Sequence, residues 1–390
     1  MKLFRRISWR SALTAAPSNS PVLRSRHAGI DRLRGMAILL VVLHHLGLRV
    51  PLRDTVLGGW LPPRLLDAMN DNGYEAVFVF FVISGFLIAV NALDRWGDLA
   101  RIEPATFYRR RGARILPCLL ALVAVLALLH SLGVPDYAIS RPGQSLGGAV
   151  AAALGLYLNW YEGQTGYLPG NWDVLWSLSI EEVFYLGFPL VCLLARRRAV
   201  LVPLLVLLAL SLPWSLASIV GNEVWKEKAY LPGMAAIATG ILGALWLRAK
   251  PPGPRDARVL RWFGGAAMLA VMTLMVPWLW RALHDGVLLM LTVATMCLLV
   301  GMGRSAPSTG RARGLGWLES WGQLSYEIYL THMFVVFAAL HVWHRWRAGP
   351  GAALMLYAAV LPVCWLLGWA VARGFSQPCE CALRARPAAM

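Results

Sequence analysis

The first two residues that could do chemistry together are Arg34 and His45, eleven positions apart in an apolar stretch. Eleven steps of an α-helix rotate by about 1100°, about 20° beyond three full turns, and rise by about 16 Å. The two side chains therefore share one helical face at different depths. A guanidinium near the mouth suits an anion such as a phosphate, and a deeper imidazole suits a general base. A basic anchor plus a histidine bonded to a neighbouring helix is the alternative.

A second basic cluster consists of Arg109, Arg110, Arg111 and Arg114. Arg110 and Arg114 are four positions apart, so they share a helical face. Guanidinium groups match phosphate oxygens, which makes phosphate recognition the functional interpretation. Anchoring of a membrane helix by positive charge is the alternative, and it is the commoner reason for adjacent arginines.

Two adjacent carboxylates, Glu181 and Glu182, lie in another apolar stretch. Ser177, Glu181 and Tyr185 follow one another at four-residue steps and form a polar stripe that can face a bundle interior. Glu182 lies about 100° away from Glu181 around the helix. A charged side chain in hydrocarbon costs roughly 2.5–3.5 kcal/mol on insertion scales, so we interpret these carboxylates as functional.

Ser325, Tyr329 and His332 share a face of a later apolar stretch, whereas Glu327 points towards another helix. Hydrogen bonding between helices explains such a face as well as function does. Ser84 lies in a further apolar stretch, where close helix packing is the default interpretation of a small residue.

Composition then identifies the elements that position these groups. Of the 390 residues, 58% are hydrophobic and 15% are charged, against about 25% charged in soluble domains. Most of the chain must therefore face lipid, and an all-α polytopic membrane bundle is predicted. The formal net charge of +17 is assigned to basic loops that orient such a bundle, and no nucleic-acid partner is expected.

About ten runs are long enough to cross roughly 30 Å of hydrocarbon. They lie near 36–50, 75–93, 115–132, 176–195, 199–220, 231–248, 262–280, 286–302, 318–340 and 351–372. Suppose that both termini are cytoplasmic and that the apolar segment 146–160 does not cross the membrane. About three quarters of the 37 Lys and Arg residues then lie on the cytoplasmic side, as the positive-inside rule requires. That segment is therefore predicted to be re-entrant.

Residues 1–30 are predicted to be a basic cytoplasmic tail without a signal peptide, 31–372 the membrane domain, and 373–390 a cytoplasmic C-terminal tail. The six cysteines have no metal-ligand spacing and predict no disulfide framework. No metal site is expected.

Five motifs, in this order, resemble those of the integral-membrane acyltransferase 3 family. They are Asp31 to Gly35 with His45, Phe80 to Ile88, Arg110 to Pro117, Trp176 to Tyr185, and Ser325 to His332. Val183 and Thr331 stand where the family often has Gln and Trp. Neither departure removes a group that could transfer a proton. Many members carry an additional C-terminal hydrolase-like domain, which this chain is expected to lack.

The resemblance implies an O-acyltransferase of the bacterial cytoplasmic (inner) membrane. The donor would be acyl-CoA, commonly acetyl-CoA, and the acceptor a carbohydrate or lipid-linked glycan, with membrane lipids as surroundings. It implies that His45 is the general base and that Glu181 or Glu182 orients it or binds acceptor hydroxyls. The phosphates of the donor would be bound by Arg34, Arg110, Arg111 and Arg114. The substrates would be contacted by Asp31, Ser84, Trp176, Tyr329 and His332. The two carboxylates are expected on the acceptor side.

Two other classes of protein remain open from the residues alone. Buried Glu and His also suit a proton-coupled exporter of a glycan or small metabolite. A structural membrane protein is disfavoured, because packing does not require paired carboxylates within a span.

The topology predicts that the loop at Arg196, Arg197 and Arg198 faces the cytoplasm. In a cysteine-free background, Arg197→Cys should react with a membrane-impermeant maleimide only after the cells are permeabilised. Labelling of intact cells would contradict both the ten-span count and the re-entrant assignment of 146–160.

Overall fold

The computed structural model describes residues 27–274, 280–303, 314–346 and 350–385, and these ranges contain no β-strand. The prediction of an all-α fold is thereby confirmed. The predicted N-terminal tail lies almost wholly outside the described residues.

The helices are numbered here in chain order. The first half contains α1 (Ala28–Gly47), α2 (Pro63–Asp71), α3 (Gly73–Trp96), α4 (Pro104–Ser131), α5 (Leu146–Leu154), α6 (Leu158–Thr165), α7 (Gly170–Asp173), α8 (Leu175–Ala195), α9 (Arg198–Leu210) and α10 (Leu212–Ala217). The second half contains α11 (Glu223–Lys228), α12 (Tyr230–Ala249), α13 (Pro254–Leu274), α14 (Trp280–Leu283), α15 (Gly286–Met302), α16 (Gly316–Gln323), α17 (Ser325–Arg345), α18 (Ala353–Val371) and α19 (Gln377–Ala385).

Within the described ranges, six helical stretches are long and apolar enough to cross a membrane. They are Gly73–Trp96, Pro104–Ser131, Gly170–Ala195, Glu223–Ala249, Ser325–Arg345 and Ala353–Ala385. Two shorter helices, α9 and α15, are also apolar. The chain is therefore a multi-pass membrane protein, and the count of ten spans stays a prediction.

The segment predicted to be re-entrant forms two short helices, α5 and α6. Nine residues of α5 rise only about 14 Å, which is less than half of the hydrocarbon thickness. Leu156, between the two helices, has a φ of 60°. Its carbonyl oxygen accepts a hydrogen bond of 2.6 Å from the Tyr230 hydroxyl of α12. The irregular backbone is thus satisfied by protein, as non-helical backbone at membrane depth requires.

Two predicted boundaries are wrong in an informative way. The predicted span 318–340 is divided at Leu324 into α16 and α17, which makes Ser325 the first residue of α17. The last predicted span does not end at 372, because a π-helical turn at Ala372–Ser376 carries the chain directly into α19.

Glycines bring the helices that carry the polar residues unusually close together. A Cβ added at Gly35 of α1 would overlap the Leu318 carbonyl oxygen of α16, and one added at Gly322 would overlap the Asp31 carbonyl oxygen. The Arg32 guanidinium also binds the Glu319 carboxylate at 2.6 Å. These contacts fix α1 against α16, so that Arg34 lies beside the start of α17.

The same device joins α3 to α12. A Cβ added at Gly85 would overlap the Ile237 carbonyl oxygen, and one at Gly240 would overlap the Val82 carbonyl oxygen. Small residues that let backbones approach are typical of membrane helix interfaces. The packing role expected for this part of α3 is thus present, and Ser84 is turned from the interface towards a cavity.

Candidate active site

Two adjoining cavities lie among α1, α3, α4, α8 and α17. The narrow cavity has a volume of about 150 Å³ and lies between α3, α8 and α17. The wide cavity has a volume of about 760 Å³ and lies between α1, α3, α4 and α19. Arg34, Leu87, Arg111 and Arg114 line both cavities. These four residues therefore mark the junction between them.

Arg34 is held at this junction by a neutral partner. Its Nη2 donates a hydrogen bond of 2.7 Å to the Ser325 hydroxyl at the start of α17. Among the described residues it forms no salt bridge within 4 Å, unlike Arg32 two positions earlier. A hydroxyl orients a guanidinium without neutralising it, so the charge of Arg34 remains available to an anion.

The second arginine pair at the junction differs from the predicted one. Arg111 and Arg114 line both cavities, whereas Arg110 lines only the wide cavity. The relevant spacing on α4 is therefore i, i+3 instead of the predicted i, i+4 pair of Arg110 and Arg114. Both spacings place residues on neighbouring positions of one helical face, and the position of α3 and α8 selects between them.

Glu181 belongs to the arginine junction. It lines the narrow cavity with Arg111, and its Oε2 accepts a hydrogen bond of 3.1 Å from the Tyr185 hydroxyl. The same hydroxyl is in short contact with the Ser84 hydroxyl. The Arg111 guanidinium lies 4.4 Å from the centre of the Tyr185 ring. Ser177, Glu181 and Tyr185 all line this cavity, which confirms the predicted polar stripe.

The expectation that the carboxylates lie on the acceptor side, where they orient His45 or bind acceptor hydroxyls, does not match the position of Glu181 beside Tyr185 and Arg111. Because α8 runs from Leu175 towards the arginine end, a residue six positions into the helix lies at the depth of Arg111. Glu182 is rotated away from both cavities, and its Oε1 is buried with no hydrogen-bond partner among the described residues.

Of two further residues predicted to bind substrate, Trp176 lies outside both cavities and Asp31 lines the wide cavity. The ring of buried Trp176 stacks on Tyr74 and meets Phe81 edge-on, with both ring centres 6.1 Å away. It lines neither cavity, because the turn that directs Ser177 into the narrow cavity directs Trp176 into the core. Asp31 lines the wide cavity beside Gln323 and is thus at the arginine end.

The far end of the narrow cavity is closed by two hydroxyls. The Ser177 and Tyr329 hydroxyl oxygens are 2.7 Å apart, and the Tyr329 hydroxyl also donates a hydrogen bond of 2.9 Å to the Val174 carbonyl oxygen. Both side chains line the cavity, whereas His45 and His332 do not. The histidines therefore lie beyond Tyr329, one turn further along α17.

His45 and His332 face each other behind this closure. Their ring centres are 5.1 Å apart, and the Tyr329 and His332 ring centres are 5.9 Å apart. Arg34 and His45 thus both contact α17, which confirms that they share a face of α1. His44 is turned away and bonds the Asn70 carbonyl oxygen at 2.7 Å.

The proton position on His332 follows from its neighbours. Nδ1 lies 2.8 Å from the Tyr329 carbonyl oxygen and 3.2 Å from that of Ile328, and carbonyl oxygens only accept hydrogen bonds. Nδ1 is therefore assigned the proton and Nε2 the lone pair. Nε2 is buried and has no hydrogen-bond partner among the described residues. The pair of imidazoles consequently offers an available base within the bundle.

Sequence reasoning missed a buried charge cluster formed by Lys228, Glu162 and Asp173. The Lys228 ammonium binds the Glu162 carboxylate at 2.8 Å and also contacts the Asp173 carboxylate. The side chains of Lys228 and Glu162 are fully buried. The cluster joins α6, at the end of the segment predicted to be re-entrant, to α7 and α11. The sequence shows these three residues only as isolated charges beside apolar runs. Their pairing could not be predicted, because the residues are far apart in the sequence.

We predict that Lys228→Met destabilises the protein by about 3–5 kcal/mol, because it leaves two carboxylates without their buried counter-ion. Lys226→Met is the matched control. The Lys226 ammonium is 3.7 Å from the Asp285 carboxylate and partly exposed, so its loss should cost at most about 1 kcal/mol. Thermal unfolding of the purified proteins in detergent measures both. Equal unfolding midpoints for the two variants would contradict a structural role of the cluster.

Comparison with known proteins places this arrangement in a family. The family described as "Acyltransferase domain" (Acyl_transf_3) matches residues 27–369. No solved structure matches.

Curated relatives match over part of the chain. O-acetyltransferase OatA of Staphylococcus aureus (strain NCTC 8325 / PS 47) is 29% identical over 181 residues, covering 44% of this chain and 25% of that protein. "Putative O-acetyltransferase SACOL0978" of Staphylococcus aureus (strain COL) is 24% identical over 344 residues, covering 81% of this chain and 51% of that protein. The chain thus spans about a quarter to a half of the length of these relatives. The family match extends from α1 through α17 and includes the arginine junction between the two cavities. The chain therefore belongs to the acyltransferase 3 family.

Proposed function

We propose that this chain is a membrane O-acyltransferase that moves an acyl group from acyl-CoA to a hydroxyl of a carbohydrate in the cell envelope or on its way out of the cell. The observation that carries the proposal is the arginine junction, from which the narrow cavity leads to within one helical turn of the His45–His332 pair. The names of both relatives specify O-acetyl transfer, which favours acetyl as the acyl group.

The donor is assigned to the wide cavity because of its charge. Six arginines and three carboxylates line it: Arg34, Arg95, Arg110, Arg111, Arg114 and Arg384, with Asp31, Asp94 and Glu380. The diphosphate of acyl-CoA would bind the arginines near the junction, where bidentate guanidinium–phosphate pairs can form. Its pantetheine arm would then extend into the narrow cavity, whose walls include Phe80, Phe81 and Leu330.

Transfer requires the thioester to meet the histidine pair. His45, as general base, takes the proton of an acceptor hydroxyl, and the hydroxyl oxygen attacks the thioester carbonyl carbon. The carbon–sulfur bond breaks, the acyl–oxygen ester forms, and the proton from His45 passes to the leaving thiolate to give CoA. The available Nε2 lone pair of His332 stabilises the transient imidazolium on His45.

Tyr329 and Ser177 act as positioning residues in this scheme. Their hydroxyl pair stands between the narrow cavity and the histidines. Rotation of the Tyr329 side chain would open the route for the acyl end, and the Ser177 hydroxyl would then be available to orient the thioester carbonyl. Glu181, fixed by Tyr185, holds Arg111 in position instead of acting on the histidine.

Acyl-CoA is made in the cytoplasm, so the wide cavity would face the cytoplasm and the histidine pair would be reached from the opposite side. This orientation agrees with cytoplasmic termini in the bacterial inner membrane. A proton-coupled exporter would have no use for a thioester donor, and membership of an acyltransferase family favours transfer over export.

The central test is His45→Ala, which should abolish acyl transfer because a positioned base contributes about 10²–10⁴-fold to the rate. Membranes that contain the protein are incubated with radiolabelled acetyl-CoA, and label is counted in the glycan fraction. His341→Ala, at an exposed position of the same helix as His332, is the control. Full activity of the His45 variant would refute the mechanism. Absence of any label with the wild-type protein would refute acetyl transfer to glycans.

A second prediction separates arginines that are adjacent in the sequence. Arg111→Ala should raise the KM for acetyl-CoA by about 10–100-fold, since a hydrogen bond to a charged group is worth about 1.5–3 kcal/mol. Arg109→Ala should leave the KM near the wild-type value, because Arg109 is exposed and lines neither cavity. Equal effects of the two substitutions would indicate membrane anchoring instead of donor binding.

A further inference from the structure

The helix α19 lies beyond the family match and yet forms a wall of the wide cavity. The family match ends at residue 369, whereas α19 begins at Gln377. It packs against α4, the helix that carries Arg110, Arg111 and Arg114. The turn before it is anchored, because the Ser376 hydroxyl donates a hydrogen bond of 2.7 Å to the Glu327 carboxylate and both side chains are buried. The position of α19 is therefore built into the fold.

Two charged side chains of α19 line the wide cavity. They are Arg384 and Glu380, one helical turn apart, and they form an ion pair with each other. The Arg384 side chain is 38% exposed, so the pair is solvated. Partly exposed i, i+4 pairs contribute little stability. A strong ligand can therefore displace one partner without unfolding the helix.

These side chains belong to the wide cavity alone. Arg34, Arg111 and Arg114 line both cavities, whereas Glu380 and Arg384 line only the wide one. Arg95 and Trp96, at the end of α3, also line only the wide cavity. A ligand that extends from the narrow cavity through the junction would place its other end in the wide cavity, of which α19 forms a wall.

We propose that α19 recognises the nucleotide end of acyl-CoA, with Arg384 binding the 3′-phosphate and Glu380 acting as an internal competitor for Arg384. This inference rests on the proposed function, since it takes acyl-CoA as the donor. The thioester and the 3′-phosphate are at opposite ends of that molecule. A thioester in the narrow cavity thus leaves the 3′-phosphate in the wide cavity, which Arg384 lines. An arginine fork matches a phosphate better than it matches a single carboxylate oxygen.

The competition between Glu380 and the phosphate gives the two residues opposite effects. Removing Arg384 removes a phosphate contact, so Arg384→Gln should weaken the binding of acetyl-CoA. Removing the charge of Glu380 releases Arg384 and lowers the repulsion of the phosphate. Glu380→Gln should therefore strengthen the binding of acetyl-CoA. A merely structural ion pair would instead lose the same interaction in either variant and would show effects of one sign.

The experiment uses the full chain, purified in detergent, with acetyl-CoA and acetyl-3′-dephospho-CoA as donors. For the wild-type protein we expect a lower KM for acetyl-CoA than for the dephospho donor. Arg384→Gln should raise the KM for acetyl-CoA about tenfold and leave the KM for the dephospho donor unchanged. Glu380→Gln should lower the KM for acetyl-CoA about two- to fivefold. Arg373→Gln, at an exposed position that lines neither cavity, is the matched control and should behave as wild type.

The possible results separate this inference from the function on which it rests. Wild-type turnover of acetyl-CoA combined with unchanged donor preference in Arg384→Gln would overturn only the assignment of α19. The assignment of α19 would also be overturned if Glu380→Gln weakened the binding of acetyl-CoA, as Arg384→Gln is expected to do. No turnover of acetyl-CoA by the wild-type protein would overturn both. Unfolding midpoints of all variants should equal the wild-type value, and a lower midpoint for Arg384→Gln alone would assign Arg384 to stability.

Discussion

The structure depends on how one half-buried guanidinium is accommodated. Arg34 lies inside the helical bundle, and its hydrogen bond goes to the neutral Ser325 hydroxyl. Burying a charge without an ionic partner is unfavourable, so a fold that keeps it in this state must hold α1 and α17 in a defined relation. The close approach of α1 and α16 through Gly35 and Gly322 does so. What results is a fixed positive charge at the one place where the two cavities meet.

A second consequence concerns distance along α1. Because Arg34 and His45 share a face and differ by about 16 Å in depth, a ligand that binds the first residue must be long to react at the second. A compact anion would fill the junction and leave the histidines unused. A phosphate group joined to a reactive end by a slender arm has the required shape. Under the proposed function, the distance between Arg34 and His45 thus makes the site specific for acyl-CoA over smaller acyl donors.

Most of the helical faces could be predicted from the sequence, because a face depends only on the helical repeat. Arg34 with His45, and Ser177 with Glu181 and Tyr185, were obtained in this way. The partners across helices could not be obtained, because they depend on the order of helices in the bundle. Glu181 was therefore expected to orient the histidine or to bind acceptor hydroxyls, and its position beside Arg111 was not foreseen.

Two further features show where sequence reasoning stops for physical reasons. The division at Leu324 separates α16 from α17 without a proline, and α16 packs closely against α1. The pairing of Lys228 with Glu162 joins residues 66 positions apart. Neither follows from periodicity, which describes a helix and not its neighbours. Both nevertheless determine where the polar groups lie.

The distribution of charge distinguishes the two ends of the molecule. At the histidine end, Lys228 faces two carboxylates, so that cluster binds its cation internally. At the wide cavity, arginines outnumber carboxylates two to one, and the junction arginine has a neutral partner. An anion is consequently attracted to the wide cavity, whereas the charge of Lys228 is balanced by its own carboxylates. In the proposed reaction this asymmetry, and not the histidine pair alone, gives the transfer its direction across the membrane.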